Sequence, residues 1–488
     1  MKKLRPVMFV GTGSDVGKSV VNTGFCRLFL QDGYTPAPFK AQNMSLNSYV
    51  TPDGLEIGIA QAAQAEACGI ACTVEMNPIL LKPTSHSKSQ LVLNGKPQGN
   101  ATAAEYFNHT DRDMLFANAM NAFATLQSKY NPIVIEGAGS ISEMNLWNKD
   151  IVNMRVAAHV QAATYLVADI DKGGVFASVY GSVKLLPPHH QDLIKGIIIN
   201  KFRGDLSLFE EGKTIIKNIT GKPVVGVIPY YDNIYIEPED SVCLKEKNNR
   251  METGKVNIAV VRLPHMSNFS DFDMLEQMAD INLFYTENAD ELNAADIVII
   301  PCTKNTLSDL AFIQQKGIAT ALQARHRENK PIYGICGGYQ MMGEQISDPQ
   351  SVEGNIQKLD GLGILPVKTT ILTDKQTRQC EFTFLDEKDI CKGYEIHMGQ
   401  TTSLYARPVC TLANGENDGY FVNRNTWGSY IHGIFNNHSV IKSILQQMRT
   451  QPQPYLNHQA RKEESYNKLA DLIRSSVDVD YIYKSMQL

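Results

Sequence analysis

Short apolar runs rich in β-branched residues punctuate the 488-residue chain and alternate with stretches of helical periodicity. In the first half they fall at Val7–Val10, Ile133–Ile135, Tyr165–Ala168, Gly196–Ile199 and Val224–Ile228. In the second half they fall at Asn257–Val261, Ile297–Ile300 and Pro331–Ile335. Strands that alternate with helices predict parallel sheets covered by helices. The pattern breaks over Glu237–Lys255, a polar and charged stretch that reads as a linker between two α/β domains. The expected division is a first domain over 1–236, a linker over 237–254, a second domain over 255–440 and a polar helical tail over 441–488.

Several runs end in residues that carry chemistry, and open α/β sheets bind ligands at the carboxyl ends of their strands. GTGSDVGKS (Gly11–Ser19) follows the first run and precedes the apolar-periodic Val20–Leu30. That is the strand–loop–helix context of a phosphate loop, with one more residue between Gly11 and Gly17 than the common pattern has. Gly11, Thr12, Gly13, Asp15 and Gly17 would turn backbone N–H groups onto phosphate oxygens. Lys18 would add positive charge, and Ser19 could ligate Mg²⁺. Ile133–Ile135 delivers Glu136, an acid that can hold Mg²⁺, and Tyr165–Ala168 delivers Asp169 as a further metal ligand. Asn200, after Ile197–Ile199, could pair with a nucleotide base edge.

In the second half, PIYGICGGYQMMG (Pro331–Gly343) reads as a strand, a cysteine among glycines and a helix. This is a nucleophile elbow with sulfur in place of hydroxyl, and it singles out Cys336. Its base should be a histidine at another strand end. His432 in GSYIHGIF is the first choice and His397 in GYEIHMG the second.

Composition narrows the partners. Lys and Arg number 46 against 51 Asp and Glu, a net charge of −5, so no basic excess points to nucleic acid. The longest apolar runs fall far short of a membrane span. The basic-then-apolar start runs directly into the glycine loop and reads as a first strand, not a signal peptide. Nine cysteines without a CxxC pair argue against a disulfide framework or zinc site and make a reducing cytoplasm the default.

Taken together, GTGSDVGKS, PFKAQNMSLNS, MNPILLKP, EGAGS, DIVNM, ADIDKGGVFAS, INKFRGD, RLPHMSNFSDFD, GICGGYQMMG and GYEIHMG resemble the cobyric acid synthase family, glutamine-hydrolysing amidotransferases of cobalamin biosynthesis. The resemblance covers nearly the whole chain. It implies an N-terminal P-loop domain similar to dethiobiotin synthetase and a C-terminal class I glutamine-amidotransferase-like domain. It also implies ATP and Mg²⁺, with glutamine and a corrinoid as substrates. Cys336 would be the glutamine nucleophile and His432 its base. The acceptor would be adenosylcobyrinic a,c-diamide, amidated on four propionates with one ATP and one glutamine each. Many relatives carry an acid two residues after the histidine, where this chain has Ile434, which leaves a Cys–His dyad. The family's Pro-Gly-Ser-Lys-Asn turn reads Pro301-Cys302-Thr303-Lys304-Asn305 here, placing a Cβ at the turn expected to donate an N–H to the oxyanion. The sister enzyme that amidates the a and c carboxylates is the rival nearest in chemistry. A P-loop switch fused to an inactive amidase-like module, and a cysteine peptidase with a nucleotide domain, are rivals of other classes.

Overall fold

The computed structural model describes residues 2–84, 88–108, 110–231, 234–237, 250–446, 448 and 457–488. Residues 238–249 of the expected linker, and 447 and 449–456 of the expected tail, lie outside the described residues.

The first sheet contains β1 (Val7–Gly11), β2 (Ala37–Phe39), β3 (Ile133–Glu136), β4 (Ala163–Asp169), β5 (Ile194–Phe202) and β6 (Val224–Pro229). Their spatial order is β6–β5–β4–β1–β3–β2, and every neighbouring pair is parallel. Every residue of β1 and β4 is buried, which is why these runs are apolar without alternation. β2 carries no strand signal because Pro36 precedes it and Pro38 lies within it; proline is tolerated there because β2 is an edge strand. Helix α1 (Lys18–Gln31) starts directly after the loop that follows β1.

The second main sheet contains β7 (Val256–Val261), β8 (Ile281–Thr286), β9 (Ile297–Ile300) and β10 (Ile332–Ile335), followed by helix α2 (Gly337–Met342). After the long hairpin β11 (Val367–Phe384) and β12 (Cys391–Ser403) come β13 (Tyr420–Asn423) and β14 (Thr426–Ser429). The order is β8–β7–β9–β10–β14–β13, parallel except for β13. The β11–β12 hairpin belongs to a separate, mainly antiparallel sheet, with the short strand Gln345–Ser347 parallel to β11. The parallel-sheet expectation omitted it because its polar residues alternate with buried ones, as in a sheet with one wet face.

Helices α3 (His458–Ser476) and α4 (Val479–Met486) follow the second domain but pack on the first. Tyr466, Ile473, Ile482 and Met486 share one apolar core with Val7, Phe9, Phe25 and Tyr165. Arg27 pairs with Glu463 at 2.7 Å, and Arg5 donates its backbone N–H to Met486 O at 2.8 Å. The second domain is thus an insertion between β6 and the helices that finish the first domain's core. Among the described residues no helix is long and apolar enough to cross a membrane.

Candidate active site

The loop after β1 owes its path to residues that accept a left-handed backbone. Gly17 caps α1 at φ 93° and Asp15 sits at φ 56°. A Cβ on Gly17 would stand 2.1 Å from Asn200 Nδ2, so only glycine fits. Lys18 Nζ donates to Gly13 O (2.8 Å) and Gly139 O (3.0 Å), which stretches the lysine across the loop. A cavity of about 720 Å³ opens beside it, lined by Asp15, Gly17, Lys18, Ser19, Lys40 and Glu136 among others. Gly11, Thr12 and Gly13 shape the loop without lining the cavity. Thr12 N–H instead extends the β1–β4 ladder to Val167 O at 3.1 Å.

Glu136 is buried and fully engaged. Its Oε1 accepts from Ser19 Oγ (2.9 Å) and Lys40 Nζ (2.8 Å), and its Oε2 accepts from Gln64 Nε2 (2.6 Å). The hydroxyl–carboxylate pair of Ser19 and Glu136 beside the loop lysine is an all-oxygen donor set, so these residues fit Mg²⁺. Lys40 has no local mark in the sequence, because β2, the strand it follows, carries no strand signal.

The other two expected ligands make contacts of their own within the protein. Asp169 pairs with Lys201 at 2.9 Å and accepts from Asp171 N–H at 2.8 Å. β3 and β4 flank β1 on opposite sides, and Phe9 is level with both Glu136 and Tyr165, so Asp169 lies two strand spacings across and four residues further along, its backbone roughly 16 Å from that of Glu136. Asp169 therefore does not join Ser19 and Glu136. Asn200, expected at a base edge, donates Nδ2 to Val16 O at 2.9 Å and holds the loop from below.

Cys336 lies between β10 and α2 with φ 50° and ψ −106°, a conformation that costs a non-glycine residue about 1–3 kcal/mol. The surrounding packing enforces it. Its N–H donates to Ser429 O at 2.8 Å, and a Cβ on Gly338 would come within 2.0 Å of Ile300 O. The elbow is thus wedged against the end of β9, and the thiol is turned out of the sheet.

His432 follows β14 and is fully buried. Its Nδ1 lies 2.7 Å from Asp271 Oδ2, and Asp271 Oδ1 accepts Gly433 N–H at 2.8 Å. The imidazole stacks on Tyr394 with centroids 5.3 Å apart. Burial works against the charged ring, but Asp271 and then the Cys302 sulfur outweigh it and raise His432 to about 10. The expected dyad is therefore extended: Asp271 gives His432 a carboxylate partner where Ile434 offers none. The quoted stretch RLPHMSNFSDFD contains this acid, but nothing in its local pattern marks Asp271 above Asp273. His397 hydrogen-bonds Gly399 O through Nδ1 at 2.9 Å and lies flat on Tyr430. Burial draws it down to about 4.

Cys302 is also part of this cluster. The donor atoms of Cys302, Cys336 and His432 all lie within 4.8 Å of one another. Its φ is not among the positive values found for non-glycine residues, so the Cβ at this turn costs no left-handed strain. Interaction with Cys336 draws the Cys302 thiol down, and the same interaction together with burial pushes Cys336 up.

The segment 40–48 physically joins the two centres. Lys40 at one end pairs with Glu136, and Asn43 at its middle donates to Gln61 Oε1 at 3.0 Å. At the other end Asn47 Oδ1 accepts Phe269 N–H (3.1 Å), and Ser48 O accepts from Asn268 Nδ2 and Tyr394 OH, both at 3.1 Å. Close by, Glu56 of the first domain bonds Lys82 at 2.6 Å and also pairs with Lys375 of β11. Burial opposes the Glu56 charge, but Lys375 and then Lys82 outweigh it and hold Glu56 below the usual carboxylate range.

Residues 7–242 match the CobQ/CobB/MinD/ParA nucleotide binding domain, and residues 257–440 match the CobB/CobQ-like glutamine amidotransferase domain. The chain is similar to proteins described as cobyric acid synthase. One from Parabacteroides distasonis is 56% identical over 99% of both chains. One from Bacteroides fragilis is 55% identical over 99% of this chain and 98% of its own. One from Syntrophobacter fumaroxidans is 42% identical over 100% of this chain and 99% of its own.

Proposed function

The chain belongs to the cobyric acid synthase family, and on that premise we propose which acceptor it amidates and what its residues do. It is a glutamine-dependent amidating enzyme of cobalamin biosynthesis with a nucleotide-binding domain. The acceptor is adenosylcobyrinic a,c-diamide, and four peripheral propionates each receive one nitrogen. The observation that carries this reading is the Asp271–His432–Cys336 arrangement in a chain whose other domain holds a phosphate loop.

In the second domain the Cys336 thiolate adds to the side-chain carbonyl carbon of glutamine. His432, held as the imidazolium by Asp271, gives its Nε2 proton to the departing nitrogen, so ammonia leaves and a glutamyl thioester remains. Water then attacks the thioester. His432 Nε2 takes the water proton, glutamate departs and the thiolate is restored.

In the first domain the propionate oxygen attacks the γ-phosphorus of ATP, giving ADP and an acyl phosphate. Ammonia displaces phosphate from it, forming the amide. Lys18 offsets charge on the transferring phosphoryl group. Ser19 and Glu136 would hold Mg²⁺, which neutralises charge on the β- and γ-oxygens when bound.

Purified protein should be offered ATP, glutamine and either cobyrinic acid or its adenosylated a,c-diamide, with products followed by mass. Four successive one-amide gains on the a,c-diamide, with no two-amide product from cobyrinic acid, are expected. Amidation of cobyrinic acid alone would replace this reading with that of the sister enzyme.

A further inference from the structure

The glutaminase centre holds one more soft donor than its hydrolytic chemistry uses. Cys302 supplies a buried sulfur at a turn where the family pattern has glycine. With Cys336 and His432 it forms a set of two sulfurs and one ring nitrogen whose donor atoms lie within 4.8 Å of one another. Tetrahedral zinc with Zn–S of about 2.3 Å and Zn–N of about 2.0 Å sets donors roughly 3.5–3.8 Å apart, so side-chain rotation of about 1 Å closes the set.

His432 supplies the second observation. It is fully buried, its Nδ1 is committed to Asp271 at 2.7 Å, and its Nε2 makes no hydrogen bond. A histidine whose outer nitrogen is fixed by a carboxylate and whose inner nitrogen faces thiols is the orientation metal-binding histidines take. The sequence offered no sign of this, because the three donors follow three separate strands, β9, β10 and β14.

We propose that Cys302, Cys336 and His432 form a three-donor site for a soft divalent cation, Zn²⁺, whose binding reversibly shuts off glutamine hydrolysis. Coordination converts both sulfurs to thiolates and occupies the Nε2 lone pair. The protons carried by the thiols or the imidazolium pass to solvent, and no redox change occurs. With Cys336 bound, glutamine has no nucleophile. The phosphate-loop domain contributes none of the donors, so amidation supported by ammonium salt continues.

The test uses the full chain without nucleotide, with Co²⁺ as a spectroscopic probe and Zn²⁺ as competitor. One Co²⁺ per chain should bind with a thiolate-to-metal charge-transfer band, and Zn²⁺ should displace it. An oxygen-ligand site gives no such band, so cobalt at Ser19 and Glu136 is distinguished. Cys302→Ser and Cys302→Gly should each abolish or strongly weaken the band, and Asp271→Asn should weaken Co²⁺ binding about 10–100-fold. In the glutaminase assay Zn²⁺ should inhibit and a chelator should restore activity. The half-inhibitory Zn²⁺ concentration should rise at least tenfold in Cys302→Ser, each protein being referred to its own zinc-free rate. A band that survives both Cys302 variants, inhibition equally strong without Cys302, or recovery by thiol reductant but not chelator would each overturn the site.

Discussion

His432 Nδ1 stands 2.7 Å from Asp271 Oδ2, a pairing between residues 161 positions apart that buries both side chains. The carboxylate fixes the tautomer and holds the ring charged up to about pH 10, against an ordinary value of 6.5. In Asp271→Asn the ring loses that counter-charge while burial remains, so its pKa falls. The basic limb of the glutaminase kcat/KM profile should therefore move to lower pH. The rate should drop by about 10³–10⁴-fold, as for a wrongly oriented catalytic histidine. Ammonium-supported amidation should be untouched. A basic limb that stayed in place would remove Asp271 from the orienting role.

Cys336→Ser keeps the elbow but replaces the sulfur nucleophile with a far weaker hydroxyl, so glutamine-supported amidation should collapse. Amidation with high ammonium salt at alkaline pH should persist, because acyl phosphate formation does not involve Cys336. Lys18→Ala should fail with either nitrogen source. Product mass from ammonium-fed reactions of the two variants decides the matter: equal loss in both would contradict separate centres.

Cys302→Gly removes the sulfur that pushes Cys336 up and helps keep His432 protonated. Both the Cys336 and His432 pKa values should fall, so the whole glutaminase pH profile should move to the acid side. At its new optimum the rate should match or exceed that of the wild type. A loss above about tenfold, or roughly 1.4 kcal/mol of barrier, with no acid shift, would give Cys302 a direct part in hydrolysis.

Glu136→Gln should abolish most ATP turnover, and it should also lower the unfolding temperature. Lys40 and Glu136 are 4% and 1% exposed, and breaking a buried pair by removing one charge costs about 3–5 kcal/mol. Adding Lys40→Met to Glu136→Gln should recover part of the stability without recovering turnover. Thermal denaturation alongside phosphate release separates the two effects. Wild-type turnover by Glu136→Gln at limiting Mg²⁺ would exclude the metal role.

Asn47→Ala removes the acceptor for Phe269 N–H, two residues before Asp271. Glutamine hydrolysis in the wild type should rise when ATP and corrinoid are added, because the segment from Lys40 to Ser48 touches both centres. In Asn47→Ala that stimulation should shrink several-fold while the unstimulated rate changes little. Equal stimulation in both proteins would show that this segment does not carry the coupling.

The eight apolar runs picked out in the sequence all form strands, because strands buried on both faces leave an uninterrupted apolar signature. Cys336 and His432 were legible because an elbow and a strand-end histidine have local patterns. Asp271, Lys40 and the chemical part of Cys302 were not. Each acquires meaning only when separate strand ends converge, and nothing within a few residues of Asp271 distinguishes it from Asp273. Asp169 and Asn200 were ambiguous for the converse reason. A polar residue at a strand end suits a ligand or a loop brace equally well, and here Asp169 pairs with Lys201 and Asn200 bonds the Val16 carbonyl. The tail's periodicity revealed helices but not the surface they cover.

That surface has a consequence for biosynthesis. α3 and α4 supply Tyr466, Ile473, Ile482 and Met486 to the core around Val7, Phe9 and Phe25, yet the ribosome reaches them only after making the whole inserted domain. At about 5–20 residues per second the apolar face of the nascent first sheet waits on the order of tens of seconds for its cover. A gene divided at the 237–254 junction would therefore not yield two sound halves. The upstream product would expose that face and invite chaperone capture or aggregation, whereas supplying residues 457–488 on a separate peptide should rescue its solubility.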